Sequence, residues 1–74
     1  MAKNKGSRDR VYKKIELVGT SGKNFESAIQ SAVDRASDTL QGLRWFEVKE
    51  LRGAIRDKGA IEYQAVIEVS FELK

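Results

Sequence analysis

Three residues of this chain combine side-chain type and placement in a way that suits chemistry: Trp45, Arg52 and Gln64. Trp45 is the sole tryptophan and sits in the run Leu43-Arg44-Trp45-Phe46-Glu47-Val48-Lys49. Successive side chains of a strand point to opposite faces. Phe46 and Val48 would then share one face, and Trp45 the other, with Glu47 and Lys49. The largest apolar ring is placed on the polar side of its own strand. An indole there suits a partner chain or a flat aromatic ligand. If Ile55 opposes Ile61 across a hairpin, Arg52 opposes Gln64. A guanidinium beside an amide offers directed hydrogen bonds and a phosphate contact. Trp45 and Arg52 are about 23 Å apart along an unbent strand, so one chain would not bring Trp45 and Gln64 to one small ligand. Two chains packed at a symmetry axis would.

Other chemistries have less behind them. Gly19-Thr20-Ser21-Gly22-Lys23 stands between a strand and a helix, where a phosphate-binding loop would stand. Its glycines are too close together, and Asn24 replaces the Ser or Thr that would hold magnesium. Asp34 and Asp38 lie one helical turn apart, but no histidine or third carboxylate joins them, and a solvated helix face is the better account. The chain has no histidine and no cysteine. The commonest general base, the commonest metal ligand and any disulfide are therefore missing. Nothing marks a nucleophile. The chain reads as a binder and not as an enzyme.

The elements that would position these residues are legible in the hydrophobic pattern. Val11 to Val18 reads as a first strand with Ile15 and Leu17 inward, broken by Gly19-Thr20-Ser21-Gly22, with Ser21 as helix N-cap. Phe25, Ala28, Ile29, Ala32, Val33, Ala36 and Leu40 form one helical stripe. Gly42 ends that helix, which should be near twenty residues and about 30 Å long. Two strands follow, at 44–56 and 60–73, joined at Asp57-Lys58-Gly59. The last alternates through Ile61, Tyr63, Ala65, Ile67, Val69, Phe71 and Leu73. In the preceding strand, inward residues change parity between Val48 and Leu51, which requires a bulge near Lys49-Glu50 or opposite it. The expected fold class is α+β: β-α-β-β, a three-stranded antiparallel sheet curled around one long helix.

At 74 residues the chain is one domain near the lower limit of self-sufficiency, and assembly with copies of itself would add stability. Trp45, Val66 and Tyr12 are left on the outer sheet face, and long strand edges invite pairing. Residues 1–10 carry Lys3, Lys5, Arg8 and Arg10 against Asp9, which accounts for the whole net charge of +3. That stretch reads as a disordered basic tail ahead of a folded domain at 11–74. No membrane-length apolar run or signal-peptide core occurs, and a cytoplasmic protein is expected.

Taken together, Val11-Tyr12-Lys13-Lys14-Ile15-Glu16-Leu17-Val18-Gly19-Thr20-Ser21, Ala28-Ile29-Gln30, Arg35-Ala36-Ser37, Trp45-Phe46-Glu47-Val48, Arg52-Gly53 and Tyr63-Gln64 resemble the dodecins. The likeness runs from about Val11 to Leu73. It implies a hollow homo-dodecamer that stores, buffers and photoprotects flavin (FMN or riboflavin), with coenzyme A as a second ligand of some bacterial members. By that likeness, flavins stack on Trp45 in pairs at two-fold axes, and Gln64 hydrogen-bonds the ring edge. Arg52 lies near the ligand's phosphate or side chain, and Arg44 in the same environment. Many bacterial members end in Gly-Phe-Arg-Leu, where this chain has Ser70-Phe71-Glu72-Leu73. The negative Glu72 weakens the expectation of FMN or coenzyme A and favours riboflavin or lumichrome-like ligands. Two alternatives stand beside this reading. One is a nucleic-acid-binding module using the basic tail, although the folded part is neutral and no RNA-recognition signature occurs. The other is a structural oligomer with Trp45 buried between subunits.

Overall fold

The structure, a computed structural model, describes residues 9–74. Most of the expected basic tail, residues 1–8, lies outside that range. The order is β1 (Tyr12–Ser21), α1 (Phe25–Thr39), β2 (Leu43–Ile55), a single 3₁₀ turn at Asp57–Gly59 and β3 (Ile61–Glu72). The strands form one antiparallel sheet in the order β1-β3-β2, with the most apolar strand at its centre. This is the β-α-β-β arrangement that the alternation and the helical stripe predict.

Packing decides how close the helix comes. Ala28, Ala32 and Ala36 are buried on one side of α1 and meet Ala65, Ile67 and Val69 of β3. Small side chains at three successive turns let the helix axis lie low on the sheet. Gly19 completes the fit: a Cβ there would lie 2.0 Å from the Ala28 carbonyl oxygen. Ile67 and Val69 carry the largest fully buried apolar side chains, worth about 1.5–3 kcal/mol each. At the other end of the helix stripe, the Phe25 and Tyr63 rings meet edge to face, 5.0 Å between centroids.

Three details differ from the expectations. β1 does not break at Gly19 but runs on to Ser21, paired with Tyr63, because Gly19 serves close packing instead of a turn. Asn24, not Ser21, caps the helix: its side-chain oxygen accepts the Ser27 N–H at 2.7 Å, while Ser21 Oγ accepts from the Lys23 N–H at 2.9 Å. The later cap and an extended Leu40 leave a helix of 15 residues instead of twenty. Gly42 lies just beyond, with φ of 79°, a conformation that disfavours other residues.

β2 departs most from a simple strand. Its ladder with β3 shifts twice, between Leu43 and Trp45 and between Val48 and Glu50. The second shift is the bulge that the parity change requires; the first leaves Arg44 as the extra residue. The helix lies over β1 and β3 and, beyond Leu43, leaves the inner side of β2 largely open. Phe46, Val48, Leu51 and Ile55, expected to face inward, are therefore 43–82% exposed. One helix is too narrow to cover a three-stranded sheet.

Candidate functional site

The outer sheet face gathers its residues in cross-strand rows. At one end, Lys14, Ser70 and Trp45 lie side by side on β1, β3 and β2. Ser70 is fully buried between its neighbours, and its small side chain lets the indole lie close to the sheet. Tyr12 meets the Trp45 ring edge to face, with centroids 4.8 Å apart and planes at 63°. The indole is 42% exposed. It packs against Tyr12 on one side and remains partly open to a partner.

One row further along, Glu16, Glu68 and Glu47 lie across the three strands. Like charges directly opposite repel, and two lysines offset them. Lys14 Nζ reaches both Glu47 carboxylate oxygens at 3.0 and 3.1 Å and Glu68 at 3.7 Å, while Lys49 reaches Glu68 at 3.8 Å. The indole Nε1–H donates to Glu47 Oε2 at 3.2 Å. The hydrogen bond from Lys14 and then that from Trp45 hold the Glu47 carboxyl below its ordinary 4.5. The Lys14 ammonium is raised above 10.5, chiefly by its hydrogen bond to Glu47.

At the other end, Arg52 and Gln64 face each other as the hairpin arithmetic predicts. The Arg52 Nε–H donates to Gln64 Oε1 at 2.7 Å, and its guanidinium reaches Glu50 at 3.4 Å. The Gln64 amide N–H donates to Glu62 Oε1 at 3.0 Å, a carboxylate that also accepts from Arg56. Gln64 first and Arg56 second hold the Glu62 carboxyl below its ordinary value. Trp45 pairs with Ser70 and Arg52 with Gln64, six residues apart on β3, or about 20 Å. The structure joins Arg52 to Gln64 but brings neither to Trp45 within one chain.

Arg44 has a different partner. Its guanidinium donates to Glu72 Oε1 at 2.8 Å, and Arg10 Nε lies 3.1 Å from Glu72 Oε2. Glu72 is not a free negative charge; it binds two guanidiniums. The hydrophobic pattern did not reveal this cluster, because it depends on the first bulge and on a residue from the tail. Asp34, on the far side of the protein, accepts from Gln30 at 2.8 Å.

Among the described residues, the cleft that Trp45 lines is too small for a three-ring heterocycle. It measures about 140 Å³ and lies among Val33, Leu43, Arg44, Trp45, Phe46 and Val69, well below the roughly 300–1,000 Å³ of ligand pockets. A larger groove of about 360 Å³ runs between β1 and α1, lined in part by Leu17, Thr20 and Arg35. It is remote from Trp45 along the sheet order. No helix among the described residues is long and apolar enough to cross a membrane.

A family model described as Dodecin matches residues 11–74. This chain belongs to the dodecin family. It is 58% identical over 65 residues to a dodecin of Thermus thermophilus, covering 88% of this chain and 94% of that one. It is 39% identical over 64 residues to the calcium dodecin of Mycobacterium tuberculosis, covering 86% and 90%. The crystal structure of a Streptomyces coelicolor dodecin superposes with a TM-score of 0.85 at 38% identity, over 92% of this chain and 97% of that one. The family accounts for the strand order and helix placement without further assumption.

Proposed function

We propose that this chain is a flavin-sequestering protein, without turnover of its own, that works as a homo-oligomer of the dodecamer type and stacks the flavin ring on Trp45. The observation that carries the proposal is the indole itself, half exposed on the outer face, packed against Tyr12 and bordered among the described residues by a cleft of only about 140 Å³. A second copy across this face supplies the missing wall and can bring its own Gln64 towards the first copy's Trp45. The open apolar strip of β2 supports self-assembly on the opposite side.

Stacking on an indole contributes about 1–3 kcal/mol by analogy with aromatic–base stacks. Bound flavin supplies the light-absorbing ring, and an electron-rich indole in contact with it removes the excitation. That combination stores the pigment and shields the cell from it. Both arginines near the sheet ends are tied to carboxylates, Arg44 to Glu72 and Arg52 to Glu50. This favours riboflavin over ligands that carry a phosphate, FMN and coenzyme A among them, as preferred cargo.

Titration of riboflavin with the protein tests the reading. Flavin emission should be strongly quenched by the wild type and left unchanged by Trp45→Ala. Unquenched emission at saturating wild-type protein sinks the proposal. Binding of an oligonucleotide that is lost on trimming residues 1–10 would favour the nucleic-acid reading.

A further inference from the structure

The geometry points to Glu47, gripped by Lys14 from across the sheet, as the positioning residue that sets the plane of the Trp45 indole. The inference rests on Trp45 being the stacking surface, as proposed above, and adds how that surface is aimed. A tryptophan on a strand has two side-chain torsions, and a single apolar contact with Tyr12 does not fix both. The Nε1–H···Oε2 bond at 3.2 Å adds a directional restraint at the polar edge. That bond is only as firm as the carboxylate, which would otherwise swing freely on an exposed strand. Lys14 fixes it by reaching both oxygens at 3.0 and 3.1 Å from the far strand of the sheet. The lysine spans the Ser70 row, where a fully buried small residue leaves it room to pass. Three strands thus contribute to one ring orientation.

The charges facing Glu47 are Lys14 and Glu16 from β1, Lys49 from β2 and Glu68 from β3. Protonation of Glu47 removes the attraction to Lys14 and weakens the acceptor for the indole. Its folded carboxyl is held below 4.5, so the clamp is intact above that value and lost as pH falls through the lowered one. At the alkaline end the clamp persists until pH passes the raised value of Lys14, above 10.5.

Trp45 is the sole tryptophan, so the emission of the ligand-free full-length protein reads the clamp directly. Wild-type emission should hold steady across neutral pH and change on the acid side as Glu47 is protonated. Glu47→Gln should show altered emission already at pH 7 and no Glu47 transition on acidification. Lys14→Met should move the transition upward, towards 4.5. With riboflavin, both variants should bind about three- to tenfold more weakly, as expected for loss of one ordering hydrogen bond. Superimposable emission profiles for wild type and Glu47→Gln overturn the inference. So does a Glu47→Gln protein that binds riboflavin as tightly as the wild type. Failure of the wild type itself to quench riboflavin overturns the flavin reading instead, and the ligand-free emission profile still decides the clamp.

Discussion

One carboxylate decides much at the scale of single residues. Glu72 binds Arg44 and Arg10 at once, with only 14% of its side chain exposed. Neutralising it leaves two guanidiniums without a common partner at the sheet end nearest Trp45. Glu72→Gln should therefore raise affinity for FMN relative to riboflavin by about threefold to tenfold, in line with a charge-assisted hydrogen bond partly screened by solvent. Paired fluorescence titrations with the two flavins check it, and an unchanged ratio would show that neither arginine reaches the phosphate. The sequence pattern showed Glu72 as an isolated negative charge, since nothing in local spacing reveals that Arg10 and Arg44 converge on it. By contrast, the outward placement of Trp45 needed only the alternation of one strand. Arg52 opposite Gln64 needed only a counted hairpin.

At the scale of elements, small residues set how helix and sheet fit. The alanines of α1 and Gly19 of β1 form one contact, and the spacing of Ala28, Ala32 and Ala36 announced the buried side of the helix. Gly19 was harder to interpret, because a glycine before a helix normally marks a turn and here it marks close approach. Asn24 likewise took the capping role from Ser21, as a shorter helix start let its amide oxygen reach Ser27. Gly19→Ala places a methyl group against backbone that cannot move without shifting α1. It should cost about 1–3 kcal/mol or more, the range of core overpacking. Denaturant unfolding with an unchanged slope would measure this, and a loss below 0.5 kcal/mol would mean that the helix slides freely. The bulge near Lys49 was readable because apolar residues on either side of it disagree in parity. The shift at Arg44 leaves the same disagreement between Leu43 and Phe46, which goes unread because the strand is expected to begin at residue 44 and Leu43 falls outside it.

For the whole molecule, the sheet is wider than its helix. Phe46, Val48, Leu51 and Ile55 form an apolar strip on β2 that α1 does not reach, with Ile55 82% exposed. Sequence periodicity marks residues as inward-facing but cannot say what they face; on the self-assembly proposed above, the cover comes from another copy. Val48→Lys places a charge in the middle of that strip, beside Ile67 but outside the cover of α1. The variant should keep its helical circular dichroism yet fall to a smaller species by light scattering. A wild-type mass for the variant would place the assembly contact elsewhere.

The irregular ladder of β2 has a wider consequence. Thirteen residues of β2 span eleven of β3, from Ile61 to Phe71. Like the outside lane of a track, the longer path forces the ribbon to arc, and each added copy inherits the same arc. A flat ribbon with two free borders can recruit neighbours endlessly into a fibre. A bowed one runs out of room and closes, so, on the self-assembly proposed above, two spare residues in one border strand separate a particle of fixed size from an aggregate.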